Sequence, residues 1–90
     1  MAELRKIKER IAEIAARRRN VTVGEIEWVV NQLKLHGHQI RIRDTTHMRM
    51  YRVDSQRFGI CCHHPGEKQI KACYVDEFIS AMIELGLYEE

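Results

Sequence analysis

Ninety residues make one domain, near the lower limit of what can bury its own core, with 15 Lys and Arg against 13 Asp and Glu. No apolar stretch is long enough to cross a bilayer and no secretory leader pattern is present, so a soluble, cytoplasmic protein without a membrane partner is expected. The odd set Cys61, Cys62 and Cys73, two of them adjacent, argues against a disulfide framework and fits a reducing compartment.

Residues 2–18 read as an amphipathic helix, with Leu4, Ile7, Ile11 and Ile14 at helical spacing. Arg17, Arg18 and Arg19 suit its C-terminal end, and Asn20 could stop it. The isoleucine stripe must bury somewhere: on its own domain, in a homodimer through residues 2–18, or against a partner. The expected boundary lies after Arg19, dividing an N-terminal helical extension (1–19) from a compact unit (20–90).

The second helix has the clearest start. Thr22 and Glu25 form a capping box, and Val21 with Ile26 supplies a hydrophobic staple. Residues 23–36 then bury Ile26, Val29, Val30 and Leu33, and Gly37 ends the helix. Trp28 lies off that stripe, at a flank of the core or exposed.

From His38 the period becomes two. Ile40 and Ile42 alternate with Arg41 and Arg43, and Asp44-Thr45-Thr46 turns the chain. Met48 and Met50 alternate with His47, Arg49 and Tyr51, and residues 54–57 make a second turn. Phe58, Ile60 and Cys62 alternate with Gly59, Cys61 and His63 before Pro65-Gly66. An antiparallel meander follows, with Ile40, Ile42, Met48, Met50, Phe58, Ile60 and Cys62 beneath helices. Arg41, Arg43, His47, Arg49, Tyr51, Cys61 and His63 would share the open face.

A last helix over 74–85 turns Val75, Phe78, Ile79, Met82 and Leu85 inward, and Gly86 caps it. The fold class is therefore α+β, a three-stranded antiparallel sheet with helices on one face, in the order α-α-β-β-β-α.

The charge is uneven along this order. Residues 1–20 hold seven Lys and Arg against three acids, residues 21–53 five against three, and residues 54–90 three against seven. The basic half calls for an anionic partner, while the acidic end argues against uniform coating by nucleic acid.

From Asn20 onward the chain resembles the HicA toxin family. The resemblance is carried by Val21-Thr22-Val23-Gly24-Glu25-Ile26-Glu27-Trp28 and by Arg43-Asp44-Thr45-Thr46-His47-Met48-Arg49-Met50-Tyr51-Arg52. It continues through Ile60-Cys61-Cys62-His63, Lys71-Ala72-Cys73-Tyr74-Val75-Asp76-Glu77-Phe78 and Glu84-Leu85-Gly86-Leu87. It implies a double-stranded-RNA-binding-type fold, metal-independent mRNA cleavage without a cofactor, and a HicB-like antitoxin covering the active histidine. The family carries Gly-Ser-His where this chain has Thr45-Thr46-His47, so a hydroxyl precedes the histidine and the glycine is replaced.

Metal-free RNA cleavage needs a base for the 2′-OH proton, an acid for the 5′-oxygen and cations around the phosphate. An imidazole can serve either proton role. His47 is the candidate, with His63 as its complement; His64 reads as a loop residue. Arg41, Arg43, Arg49 and Arg52 would hold phosphates, and Tyr51 would stack on a base or pack. Zinc is disfavoured at Cys61-Cys62-His63-His64, since structural sites space their ligands more widely. A Cys-His nucleophile lacks a positioned third residue. The alternatives are a non-catalytic RNA-binding relative, and an interaction module docking through its first helix.

Overall fold

The computed structural model describes residues 2–61 and 70–89. Three helices, α1 (Leu4–Arg17), α2 (Val23–Leu35) and α3 (Ala72–Glu84), accompany three strands, β1 (Ile40–Asp44), β2 (Met48–Val53) and β3 (Gln56–Cys61). The strands form one antiparallel sheet in the order β1-β2-β3. The α+β class and the element order are those read from the sequence.

The isoleucine stripe of α1 is buried within its own chain. Ile7, Ile11 and Ile14 are fully buried in one core cluster with α2, α3, β2 and β3, each contributing about 2 kcal/mol by apolar burial. A stripe held this way is not free to form the homodimer considered above. Polar ties bind both ends of α1: Ala2 N–H donates to Gln32 Oε1 at 2.8 Å, and His36 Nε2 meets the Ala2 carbonyl at 2.7 Å. Arg17 reaches Glu25 and Arg18 reaches Asp76, each at 2.8 Å. The helix ends at Arg18, which takes φ 32°, two residues before Asn20.

The capping box of α2 forms as its sequence dictates. Thr22 Oγ1 accepts from Glu25 N–H, and Glu25 accepts from Thr22 N–H. Val21 and Ile26 are both fully buried. Thr22→Ala is expected to cost about 1 kcal/mol in a urea titration, with Thr22→Ser close to wild type. Burial raises the Glu25 pKa, but bonds from Arg17 and Thr22 and the nearby Arg10 charge outweigh it, leaving it below its usual 4.5. Its stabilising effect is therefore complete above that value and lost as pH falls through the lowered one. The loss of stability between pH 6 and pH 3 should accordingly shrink in Glu25→Gln.

The stops of α2 and α3 are glycines in the left-handed region. At Gly37 (φ 96°) the chain closes a Schellman turn, with Gly37 N–H on Lys34 and His38 N–H on Leu33. Gly86 (φ 74°) repeats it, with Gly86 on Ile83 and Leu87 on Met82. Trp28 flanks the core, with Arg10 stacked 5.2 Å from its ring centroid.

The middle strand corrects the expected faces. Tyr51 pairs with Ile42 on one side and Phe58 on the other, and Arg49 pairs with Asp44 and Ile60. Cross-strand partners share a face, so Arg49, Tyr51 and Val53 look toward the helices while Met48 and Met50 lie on the open side. The cause is the parity of the turn. A turn with an even number of residues sets odd-numbered β2 positions opposite even-numbered β3 positions, so Tyr51, and not Met48 or Met50, shares a face with Phe58. Here Val53 pairs with Gln56 across Asp54-Ser55, a turn shorter than the one expected over 54–57 but of the same parity. Asp54 takes the φ of 54° that such a hairpin turn demands. Tyr51 fills the core in place of the methionines, stacked 5.0 Å from Phe58, which meets Phe78 edge-on at 5.2 Å.

Candidate nucleic-acid interface

His47 stands exposed at the tip of the β1–β2 hairpin. Thr45 closes that tip. Its N–H donates to the Met48 carbonyl at 2.7 Å, and its Oγ1 accepts from Met48 N–H at 3.0 Å. Thr46 and His47 form the turn between them. Among the described residues only Arg18 and Asp54 are non-glycines with positive φ, so Thr45 serves here without the freedom a glycine would bring.

Below the tip, a polar network joins the hairpin to α2. Arg49 Nε donates to Asp44 Oδ1 and Arg49 Nη1 to Glu27 Oε1, both at 2.8 Å. The Tyr51 hydroxyl donates to the same Glu27 oxygen at 3.0 Å. Hydrogen bonds from Arg49 hold the Asp44 carboxyl below its ordinary pKa. Burial, followed by the Glu27 charge, pushes the Tyr51 phenol upward. Tyr51 is 1% exposed, so it packs in the core and offers no face to a base. Arg49 has its guanidinium engaged by two carboxylates. Both residues leave the surface on which the sequence reading placed them.

The open face holds Arg41, Arg43, Arg52 and Arg57, all exposed. Its floor is Met48, Met50 and Gly59; a Cβ added to Gly59 would lie 2.7 Å from Met50 Sδ and 3.0 Å from Met48 Cε. A depression of about 350 Å³ is lined by Arg41, Arg43, Met50, Arg52 and Arg57, among others. Arg57 was missed in the sequence, where it read as part of a turn. Extending the Phe58-Ile60 alternation back by one residue would have placed it on this face.

The β2–β3 register sets the start of β2 beside the end of β3, with Met48 opposite Cys61. The second histidine candidate, His63, and its neighbours Cys62 and His64 lie outside the described residues. At the other end of the sheet, Asp54 locks the entry to β1. Its carboxylate accepts from His38 Nδ1 at 2.7 Å and from Gln39 N–H at 2.9 Å. Those bonds, that of His38 first, hold the Asp54 carboxyl below its ordinary pKa. No helix among the described residues is long and apolar enough to cross a membrane.

Comparison with protein-family models, with curated proteins and with solved structures returns no match to this chain.

Proposed function

We propose that this chain is a metal-independent RNA endonuclease, the toxin of a type II toxin–antitoxin pair, acting on cytoplasmic mRNA. A HicB-like antitoxin would neutralise it by covering His47. The observation that supports the reading is one arrangement: an exposed histidine at the tip of a hairpin, in a sheet whose open face carries four exposed arginines. The resemblance to HicA toxins at Thr46-His47 and Tyr51-Arg52 supplies the reaction class.

In this reaction an imidazole nitrogen of His47 takes the proton from a ribose 2′-OH. The freed oxygen attacks the adjacent phosphorus, and the bond from phosphorus to the 5′-oxygen breaks. The 5′-oxygen leaves with a proton from an acid, the role read for His63. The products are a 2′,3′-cyclic phosphate and a 5′-hydroxyl. Arg43 precedes the turn on β1 and would offset charge on the phosphoryl oxygens. Arg41 and Arg52 hold flanking phosphates.

Induced expression of wild type should arrest growth and degrade transcripts, whereas His47→Ala should do neither while accumulating as folded protein. Equal toxicity of the two would remove His47 from the chemistry. RNA binding without cleavage by either protein would instead identify a non-catalytic relative.

A further inference from the structure

Arg41, Arg52 and Arg57 stand in a line across the three strands, each the register partner of the next. Antiparallel sheets disfavour like charges directly opposite one another, because their Cβ atoms sit only roughly 5 Å apart. All three are exposed. Among the described residues no carboxylate forms an ion pair with any of them.

The carboxylate that could neutralise the row is already engaged. Asp54 lines the same small depression as Gln39, Arg41 and Arg52, about 110 Å³ in volume. Its two carboxylate oxygens accept from His38 and Gln39. Its carbonyl accepts from Arg52 Nε at 3.0 Å, which fixes the guanidinium and leaves the two terminal nitrogens available. A guanidinium held that way presents parallel donors suited to two oxygens of one phosphate.

We infer that Arg41 and Arg52, with Arg57 beside them, form a clamp for a backbone phosphate of RNA other than the one cleaved. The assignment to RNA rests on the function proposed above; the clamp geometry does not. Arg41 lies three residues before Asp44 on β1, roughly 10 Å along the strand at ~3.3 Å per residue, and His47 lies farther on, in the turn. A phosphate at the clamp is therefore distant from His47, and a substrate must extend past the cleaved bond to occupy both. The clamp reads phosphate and not base, because Tyr51 and Phe58 stack on the opposite side of the sheet.

The test uses a 2′-O-methyl RNA oligonucleotide, which binds but cannot be cleaved. Arg52→Ala and Arg57→Ala should each weaken binding and lower the slope of log affinity against log salt by roughly 0.7, the single-strand value per phosphate contact. Arg52→Lys keeps the charge and the slope but should lose several-fold in affinity, since an ammonium cannot form the fork. Lys8→Ala, on the exposed side of α1, should change nothing. In a titration with inorganic phosphate, the side-chain Nε–H resonances of Arg41 and Arg52 should shift in wild type, and that of Arg41 much less in Arg52→Ala.

With cleavable RNA, Arg52→Ala should raise KM and leave kcat near wild type. Arg52→Lys binding as well as wild type, or Lys8→Ala weakening binding as much as Arg52→Ala, would overturn the clamp. Phosphate-dependent shifts in a protein that cleaves no RNA would sustain the clamp and defeat the endonuclease reading. Cleavage with no response of these arginines would do the reverse.

Discussion

Purified His47→Ala protein is expected to cleave RNA about 10²–10⁴-fold more slowly than wild type, the usual contribution of one positioned acid or base. Its melting temperature should stay within a few degrees. The two effects separate because of where His47 sits. The turn is closed by the backbone and hydroxyl of Thr45 on Met48, and below it Asp44 and Arg49 are paired through their side chains. His47 is exposed between those closures, so its imidazole can be removed without opening a core. Single-turnover cleavage of a labelled RNA measures the first effect and a thermal melt the second. A variant that cleaves at the wild-type rate would end the assignment of His47 to proton transfer.

Ile11→Ala should be among the most damaging single changes in α1, costing about 2–5 kcal/mol from a total of roughly 5–15 kcal/mol for a domain of this kind. For a chain this short that corresponds to a fall of ~10 °C or more in the melting temperature. The expectation follows from Ile11 being fully buried in the core of its own chain. Leu4→Ala is the contrast. Leu4 is 42% exposed, and its truncation should stay within about 0.5 kcal/mol. A free helical extension would predict small and similar effects for the two, with stability varying with protein concentration if the stripe formed a dimer.

The amino-acid sequence carries much of this fold in local signals. Thr22 and Glu25 announce the start of α2, Gly37 and Gly86 the two helix stops, and the Phe58-Ile60 alternation the inner face of β3. Each depends on residues close in sequence, and each forms as read. The middle strand fails for a different reason. Met48 and Met50 alternate as well as Arg49, Tyr51 and Val53 do, and hydropathy favours the methionines. What decides is the even number of residues in the turn, Asp54-Ser55, whose register carries Tyr51 onto Phe58. The partner that makes an inward arginine tolerable is Glu27, 22 residues away on α2. Neither is visible within one strand's pattern.

The site was legible to the same degree. Arg41 and Arg43 are exposed on the open face as their alternation suggested, Arg52 stands beside them because β2 turned over, and His47 is exposed in the turn. Arg49 and Tyr51 left that set because the strand turned over, and Arg57 joined it when the turn shortened. The lock between Asp54, His38 and Gln39 links three chain positions through a carboxylate, and only the closed hairpin brings them together.

The central claim is that His47 drives attack by a ribose 2′-OH with no metal required. The most direct measurement is cleavage of one RNA in excess chelator, beside the same RNA carrying 2′-deoxyribose at the cleaved position, with the product ends identified. The account predicts cleavage of the all-ribose strand to a 2′,3′-cyclic phosphate and a 5′-hydroxyl, and no cleavage at the deoxy position. Cleavage at the deoxy position, or activity abolished by the chelator and restored by a divalent cation, would contradict it.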